Sequence, residues 1–197
     1  MKYSVTETIW GGLGRNPNRE RNDTPSFPPK IVARPRKGEP FHILFLSKRG
    51  MSRAPMAREV LRKLLGEGTL PGTFRISCRG IRPEYDQCAI DQRMREVSSN
   101  QNYSLPEFSR CVLDKDLQDA HLILTMGRES EAFMKEYKEK TVGATRPFEH
   151  FLPAGNEPYI PDPFLQRSED YEAHYSKLIA QIEKGCRDLF DSIPFLS

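Results

Sequence analysis

The run Ser47-Lys48-Arg49-Gly50-Met51-Ser52-Arg53 has the residue types and spacing of an anion site. Gly50 at its middle suits a compact loop whose backbone N–H groups turn inward. Pro55, just past the loop, opens a helix, because its fixed φ and missing N–H fit a first turn. A helix start adds unpaired N–H groups and the positive end of a dipole. Arg53 supplies a planar fork of donors that pairs two phosphate oxygens at once. The chemistry open to such a loop is to hold an oxyanion. It is not a Walker loop, since no GxxxxGK[ST] run occurs. Lys48 and Arg49 make the loop more basic, and they read equally as solvated charges.

The flanking residues are those needed to position such a loop. Phe41 to Leu46 (FHILFL) is a short apolar run of the kind buried in a parallel sheet. Beyond the loop, Met56, Val60, Leu61, Leu64 and Leu65 fall on one helical face, and Gly66 and Gly68 end the helix. After a turn over residues 66–73, Phe74 to Cys78 alternates as a second strand and completes a right-handed βαβ unit. The pattern predicts a helix from Ala89 to Val97 with Ile90, Met94 and Val97 inward, mostly loop over 98–113, and a helical turn from Asp114 to Ala120. His121 to Met126 (HLILTM) reads as a third buried strand, with His121 structural. Arg128 to Tyr137 reads as a helix with Phe133, Met134 and Tyr137 inward, and 146–152 (RPFEHFL) as a short fourth strand. A closing helix from Glu169 to Ile193 carries the stripe Leu178, Ile179, Ile182, Leu189, Phe190 and Ile193. The predicted fold is a doubly wound α/β domain, with about four parallel strands, helices on both faces and a ligand cleft at the strands' carboxyl ends.

Composition sets the outer limits. A chain of 197 residues accommodates one ordinary domain, here 41–197, plus a tail over 1–40. The tail is rich in Pro, Gly, Asn and Arg and poor in apolar residues, so it is expected to be disordered. It holds eight Lys/Arg against four Asp/Glu, and the remainder 22 against 23, so the basic excess belongs to the tail. With no dense Lys/Arg block, a solvated arm is expected rather than a nucleic-acid contact. No apolar run approaches the ~18 residues of a membrane span, and the N-terminus has no apolar signal-peptide core. Cys78, Cys88, Cys111 and Cys186 form no CxxC pair, which argues against a zinc ribbon or a disulfide scaffold and for a reducing cytoplasm. No cofactor or metal is expected.

The stretch SKRGMSRAPMA resembles the signature of the low-molecular-weight protein tyrosine phosphatases and related arsenate reductases: a strand, Cys-x5-Arg, then Ser-Pro and a helix. DKDLQDAHLILTM resembles that family's acidic turn followed by Asp-Leu-Ile-Leu-x-Met-Asp, with Gly127 replacing the second Asp of that run. Ser77-Cys78-Arg79-Gly80 matches a strand end written Ser-Ala-Gly-Thr. Asp162-Pro163-Phe164 resembles the Asp-Pro-Tyr loop, and prolines on both sides stiffen its backbone. The resemblance covers about residues 41–193. It implies that Lys48, Arg49, Gly50, Met51, Ser52 and Arg53 bind phosphate, that Asp162 is the general acid, and that Tyr85 and Phe164 wall the cleft. It also implies that the nucleophile's position is Ser47, where the family has Cys. Lys48-Arg49-Gly50 stands for Leu-Gly-Asn, and Ala54 for the Ser that hydrogen-bonds the thiolate.

Three readings follow. The first is a phosphoryl-binding pseudophosphatase whose ligand is a phosphorylated protein or a small phosphate. The second is an active phosphatase, carrying an engineered Cys-to-Ser change or using Ser47 itself. The third is an interaction protein with a vestigial pocket. Arsenate reduction ranks below these, because its cysteine relay begins at position 47.

Overall fold

Phe41–Ser47 (β1) is buried at every position, as the apolar run requires of a strand covered on both faces. A computed structural model of the chain describes residues 35, 38–68, 73–152, 159–165 and 170–192. Nearly all of the expected tail, and the expected helix end at Ile193, lie outside them. Phe74–Gly80 (β2), Leu122–Thr125 (β3) and Ala144–Pro147 (β4) complete one four-stranded sheet in the order β2-β1-β3-β4, with every pairing parallel.

Alternation along β1 builds two cores. Ile43 and Phe45 face one side of the sheet, packed with Met56, Leu61, Ile179 and Ile182 from Arg53–Gly68 (α1) and Tyr171–Ser192 (α5). Met94 and Val97 of Gln92–Asn100 (α2) join that core. Leu44 and Leu46 face the other side, against Leu117 of Asp114–Asp119 (α3) and Met134 of Arg128–Glu136 (α4). The arrangement is the doubly wound α/β fold expected from the sequence.

Several boundaries differ from expectation, each for a local reason. The fourth strand is Ala144–Pro147 rather than 146–152: Pro147 closes it, and Phe148–Phe151 turns as a 3₁₀ helix that buries both phenylalanines. The second helix begins at Gln92, because the Asp91 side chain accepts the Arg93 N–H and caps it, while Ala89 bridges Phe108 instead. The first helix starts at Arg53, two residues before its proline. His121 precedes β3, and its Nδ1 accepts the His42 N–H at 3.0 Å, a structural role.

Gly185 lies inside α5, and a Cβ there would come 2.6 Å from Phe148 Cζ and 3.0 Å from Leu152 Cδ2. Phe148 is fully buried against Phe45, with ring centroids 5.8 Å apart, so its ring has nowhere to retreat. Gly185→Ala should gain about 1 kcal/mol of helix propensity and lose roughly 1–3 kcal/mol to overpacking. A net loss in a urea titration with unchanged m-value is expected; a net gain would show that α5 can shift away from Phe148.

Candidate functional site

β1 lies between β2 and β3, and the chain leaves β1 for α1 on one face and β3 for α4 on the other. Loops that diverge in this way open a crevice at the carboxyl end of the sheet. Ser47 ends β1 there, 3% exposed, and its Oγ accepts the Gly50 N–H at 3.2 Å. One loop amide therefore points inward toward the side-chain oxygen of residue 47. The N–H groups of Met51 and Ser52 take no protein acceptor among the described residues, and the buried Ser52 hydroxyl has no partner among them either.

The loop is shaped by backbone lying on backbone. Gly50 has φ +69°, and a Cβ on it would sit 2.6 Å from the Gly80 nitrogen. A Cβ on Gly80 would sit 2.5 Å from the Arg49 carbonyl oxygen. Either side chain would force the two segments apart. The Ile81 N–H donates to the Ser47 carbonyl, and the Arg82 N–H to that of Lys48. On the far side, the Asp91 N–H donates to the Met51 carbonyl at 3.0 Å, and the Asp91 carboxylate accepts the Tyr175 hydroxyl at 2.6 Å. Asp91 thus links the loop to both α2 and α5.

Arg53 is 6% exposed. Its Nη1 donates to the Ile160 carbonyl at 3.0 Å, and its Nη2 lies 3.3 Å from Asp162 Oδ2. The same carboxylate oxygen accepts Arg49 Nη1 at 3.0 Å, while Oδ1 accepts the Phe164 N–H. Burial lowers the pKa of the Arg53 guanidinium, against the pull of the Asp162 charge. Gly127, with φ +117°, leaves room for Arg53: a Cβ there would be 3.1 Å from Nη1. The carboxylate beside Arg53 comes from Asp162.

Of the sequence-predicted site residues, Ser47, Arg49, Gly50, Arg53, Asp162, Tyr85 and Phe164 come together. The Arg49 guanidinium carbon lies 4.6 Å from the Phe164 ring centroid and 5.4 Å from that of Tyr85. Lys48 turns elsewhere, its ammonium paired with Glu129 at 2.9 Å. Met51 contributes its backbone. Sequence reasoning missed Asp91, Glu129 and Glu149; only Asp91 carried a signal, as a capping residue before an amphipathic run. Among the described residues no cluster of three His, Cys, Asp or Glu could hold a metal ion, and no helix is long and apolar enough to cross a membrane. All four cysteines are free.

Residues 42–194 match the family model for low molecular weight phosphotyrosine protein phosphatase. The chain belongs to this family. No curated protein matches it in sequence. Among solved structures, a protein tyrosine phosphatase from Entamoeba histolytica with Hepes in the active site aligns at TM-score 0.64 and 22% identity, over 75% of this chain and 93% of that one. YfkJ from Bacillus subtilis aligns at TM-score 0.68 and 21% identity, over 80% and 96%. The YwlE arginine phosphatase, as a serine mutant with a phosphorylated active site serine, aligns at TM-score 0.58 and 16% identity, over 79% and 99%. Identities this low speak to the fold alone.

One further group of this family member faces the site electrostatically. Neither Glu149 carboxyl oxygen has a hydrogen-bond partner among the described residues. Burial pushes its pKa from the ordinary 4.5 up to about 7, against the nearby backbone N–H groups of Glu149 and Ile160 and the weaker pull of Arg53, and with a push from Glu131. The folded chain therefore keeps a proton that the unfolded chain releases, so stability falls as pH rises from 4.5 to about 7 and is level above that. His42, lowered from 6.5 to about 4 chiefly by burial, tilts stability the other way below 6.5. The difference between Glu149→Gln and wild type isolates the first effect. The variant should gain on the wild type through this window, reaching up to roughly 3 kcal/mol at high pH. A pH-independent difference in denaturation midpoints would remove the buried-acid assignment.

Proposed function

We propose that this family member binds phosphoryl groups with little or no turnover, as a pseudophosphatase whose ligand is a phosphorylated protein or a small phosphate. One observation carries the reading: two guanidinium groups and a carboxylate meet over a glycine-centred loop, while the side chain at the loop's base is a hydroxyl. Arg53, together with the loop amides, is the anion holder, and Asp162 occupies the general acid's position. Ser47 occupies the nucleophile's. A serine hydroxyl is far harder to ionise than a thiol, and it needs an adjacent base. Among the described residues Ser47 Oγ hydrogen-bonds only to the Gly50 N–H, which is no base. Ala54, fully buried, brings no hydroxyl. Four free cysteines and the absence of a membrane-crossing helix among the described residues are consistent with action in a reducing cytoplasm.

A second reading keeps phosphoryl transfer to Ser47 itself. The YwlE serine mutant favours it: its active site serine is phosphorylated, so a serine in that protein's site takes up phosphate.

Isothermal titration of the Ser47 form with inorganic phosphate should show saturable binding that Arg53→Ala weakens at least tenfold, about 1.4 kcal/mol. Absence of saturable binding, or indifference to Arg53→Ala, defeats the binding reading. With p-nitrophenyl phosphate the Ser47 form should be inert and Ser47→Cys should gain turnover. Turnover by the Ser47 form that disappears in Ser47→Ala would establish the second reading instead.

Asp162 separates the two roles. Asp162→Asn removes the negative charge that both guanidinium groups hold, so phosphate affinity in the Ser47 form should rise several-fold. In the Ser47→Cys background the same change should cut turnover by about 10²–10⁴, the usual worth of a positioned acid. Equal effects of one sign on binding and turnover would dissolve this division.

A further inference from the structure

The Arg49 side chain is held by three groups from two other segments. Its Nη1 donates to Asp162 Oδ2 at 3.0 Å, and its guanidinium carbon lies 4.6 Å from the Phe164 ring centroid and 5.4 Å from that of Tyr85. These are the acid and the two aromatic walls of the cleft. A phosphate monoester seated on the loop must place its substituent beside the acid and between those walls. Arg49 already stands there, its side chain only 17% exposed. A planar cation between aromatic faces, with a carboxylate at its edge, is well matched to its surroundings.

We infer that Arg49 is the residue that sets ligand size: it fills the slot meant for the ester substituent, so the loop takes small phosphates and turns away aryl phosphates. This rests on the anion-binding reading above and narrows its ligand class. A free phosphate needs the loop and Arg53 but not the slot, and it gains a second nearby guanidinium. An aryl phosphate must first displace Arg49, breaking its contacts with Asp162, Phe164 and Tyr85 together. Lys48 does not share this role, being paired with Glu129 at 2.9 Å.

The test compares inorganic phosphate with phenyl phosphate by titration calorimetry, on the full chain and on Arg49→Ala and Arg49→Lys. Wild type should bind phenyl phosphate at least tenfold more weakly than phosphate. Arg49→Ala should raise the phenyl phosphate to phosphate affinity ratio at least tenfold. Arg49→Lys, which keeps the charge and loses the planar stack, should also raise it. A ratio unchanged in Arg49→Ala overturns the inference. NMR of the arginine side chains reads the occluded state without any ligand: Arg49 Hε should be protected from exchange and its Cδ protons ring-shifted, both effects diminishing in Phe164→Ala. Arg49 signals at exposed-arginine positions overturn the inference whether or not phosphate binds. Lack of phosphate binding by all three forms overturns the anion-site reading instead.

Discussion

Arg53 brings a full positive charge to a place where 6% of its side chain meets solvent, and the arrangement of the cleft answers that burial. An ion taken out of water costs several kcal/mol unless charge and hydrogen bonds replace the hydration it loses. The Ile160 carbonyl and the Asp162 carboxylate supply that replacement here. Both come from one short segment, so the guanidinium draws the distant Asp162 loop onto the end of β1. Gly127 provides the room. Where the resembled pattern has an aspartate at that position, this chain has no side chain. The acid that meets Arg53 is the one expected to protonate a leaving group. The same carboxylate oxygen also accepts Arg49, so in this state Asp162 is occupied as an acceptor.

The loop under Arg53 depends on a different constraint, the close passage of two backbones. Gly50 and Gly80 touch without side chains, and the amides of Ile81 and Arg82 tie to the carbonyls of Ser47 and Lys48. On the other side Asp91 ties the Met51 carbonyl to α2 and, through Tyr175, to α5. None of these ties uses the side chain of residue 47. The Gly50 N–H does bond the Ser47 Oγ, but the ties to the Gly80–Arg82 segment and to Asp91 brace the loop independently of the atom at that position.

What the sequence made legible was whatever local pattern or motif could carry. The run FHILFLS, the loop glycine and the helix-opening proline gave the βαβ core, because strand burial and helix initiation are decided within a few residues. Arg53 and Asp162 could be paired across the chain because each sits in a recognisable local motif. The fate of the extra cations was not legible. Lys48 finds Glu129 and Arg49 finds Asp162, 81 and 113 positions away, and spacing does not say which neighbouring cation turns which way. Glu149 was hidden for the same reason: its burial comes from packing. The misplaced fourth strand has a simpler cause. Phe148 and Phe151 resemble strand residues by type, but Pro147 ends the ladder and the phenylalanines turn inward on a 3₁₀ helix instead.

Set beside the resembled pattern, this chain has a hydroxyl at 47 where a thiol is expected, Ala54 where a hydroxyl is expected, Gly127 where a carboxylate is expected and Arg49 where a glycine is expected. On the proposed reading, the first two differences take away the means of making and stabilising a nucleophile. The last two alter charge in one direction, toward a more positive cleft with fewer fixed acids around Arg53. Arg53 is buried, Asp162 faces it and two glycines touch backbone to backbone, and none of these three constraints requires a nucleophile at 47. On the proposed reading, these are the constraints that anion holding places on the cleft. The arginine set between Tyr85 and Phe164 then belongs to the same proposed function, as the part of the cleft that decides which phosphates can enter.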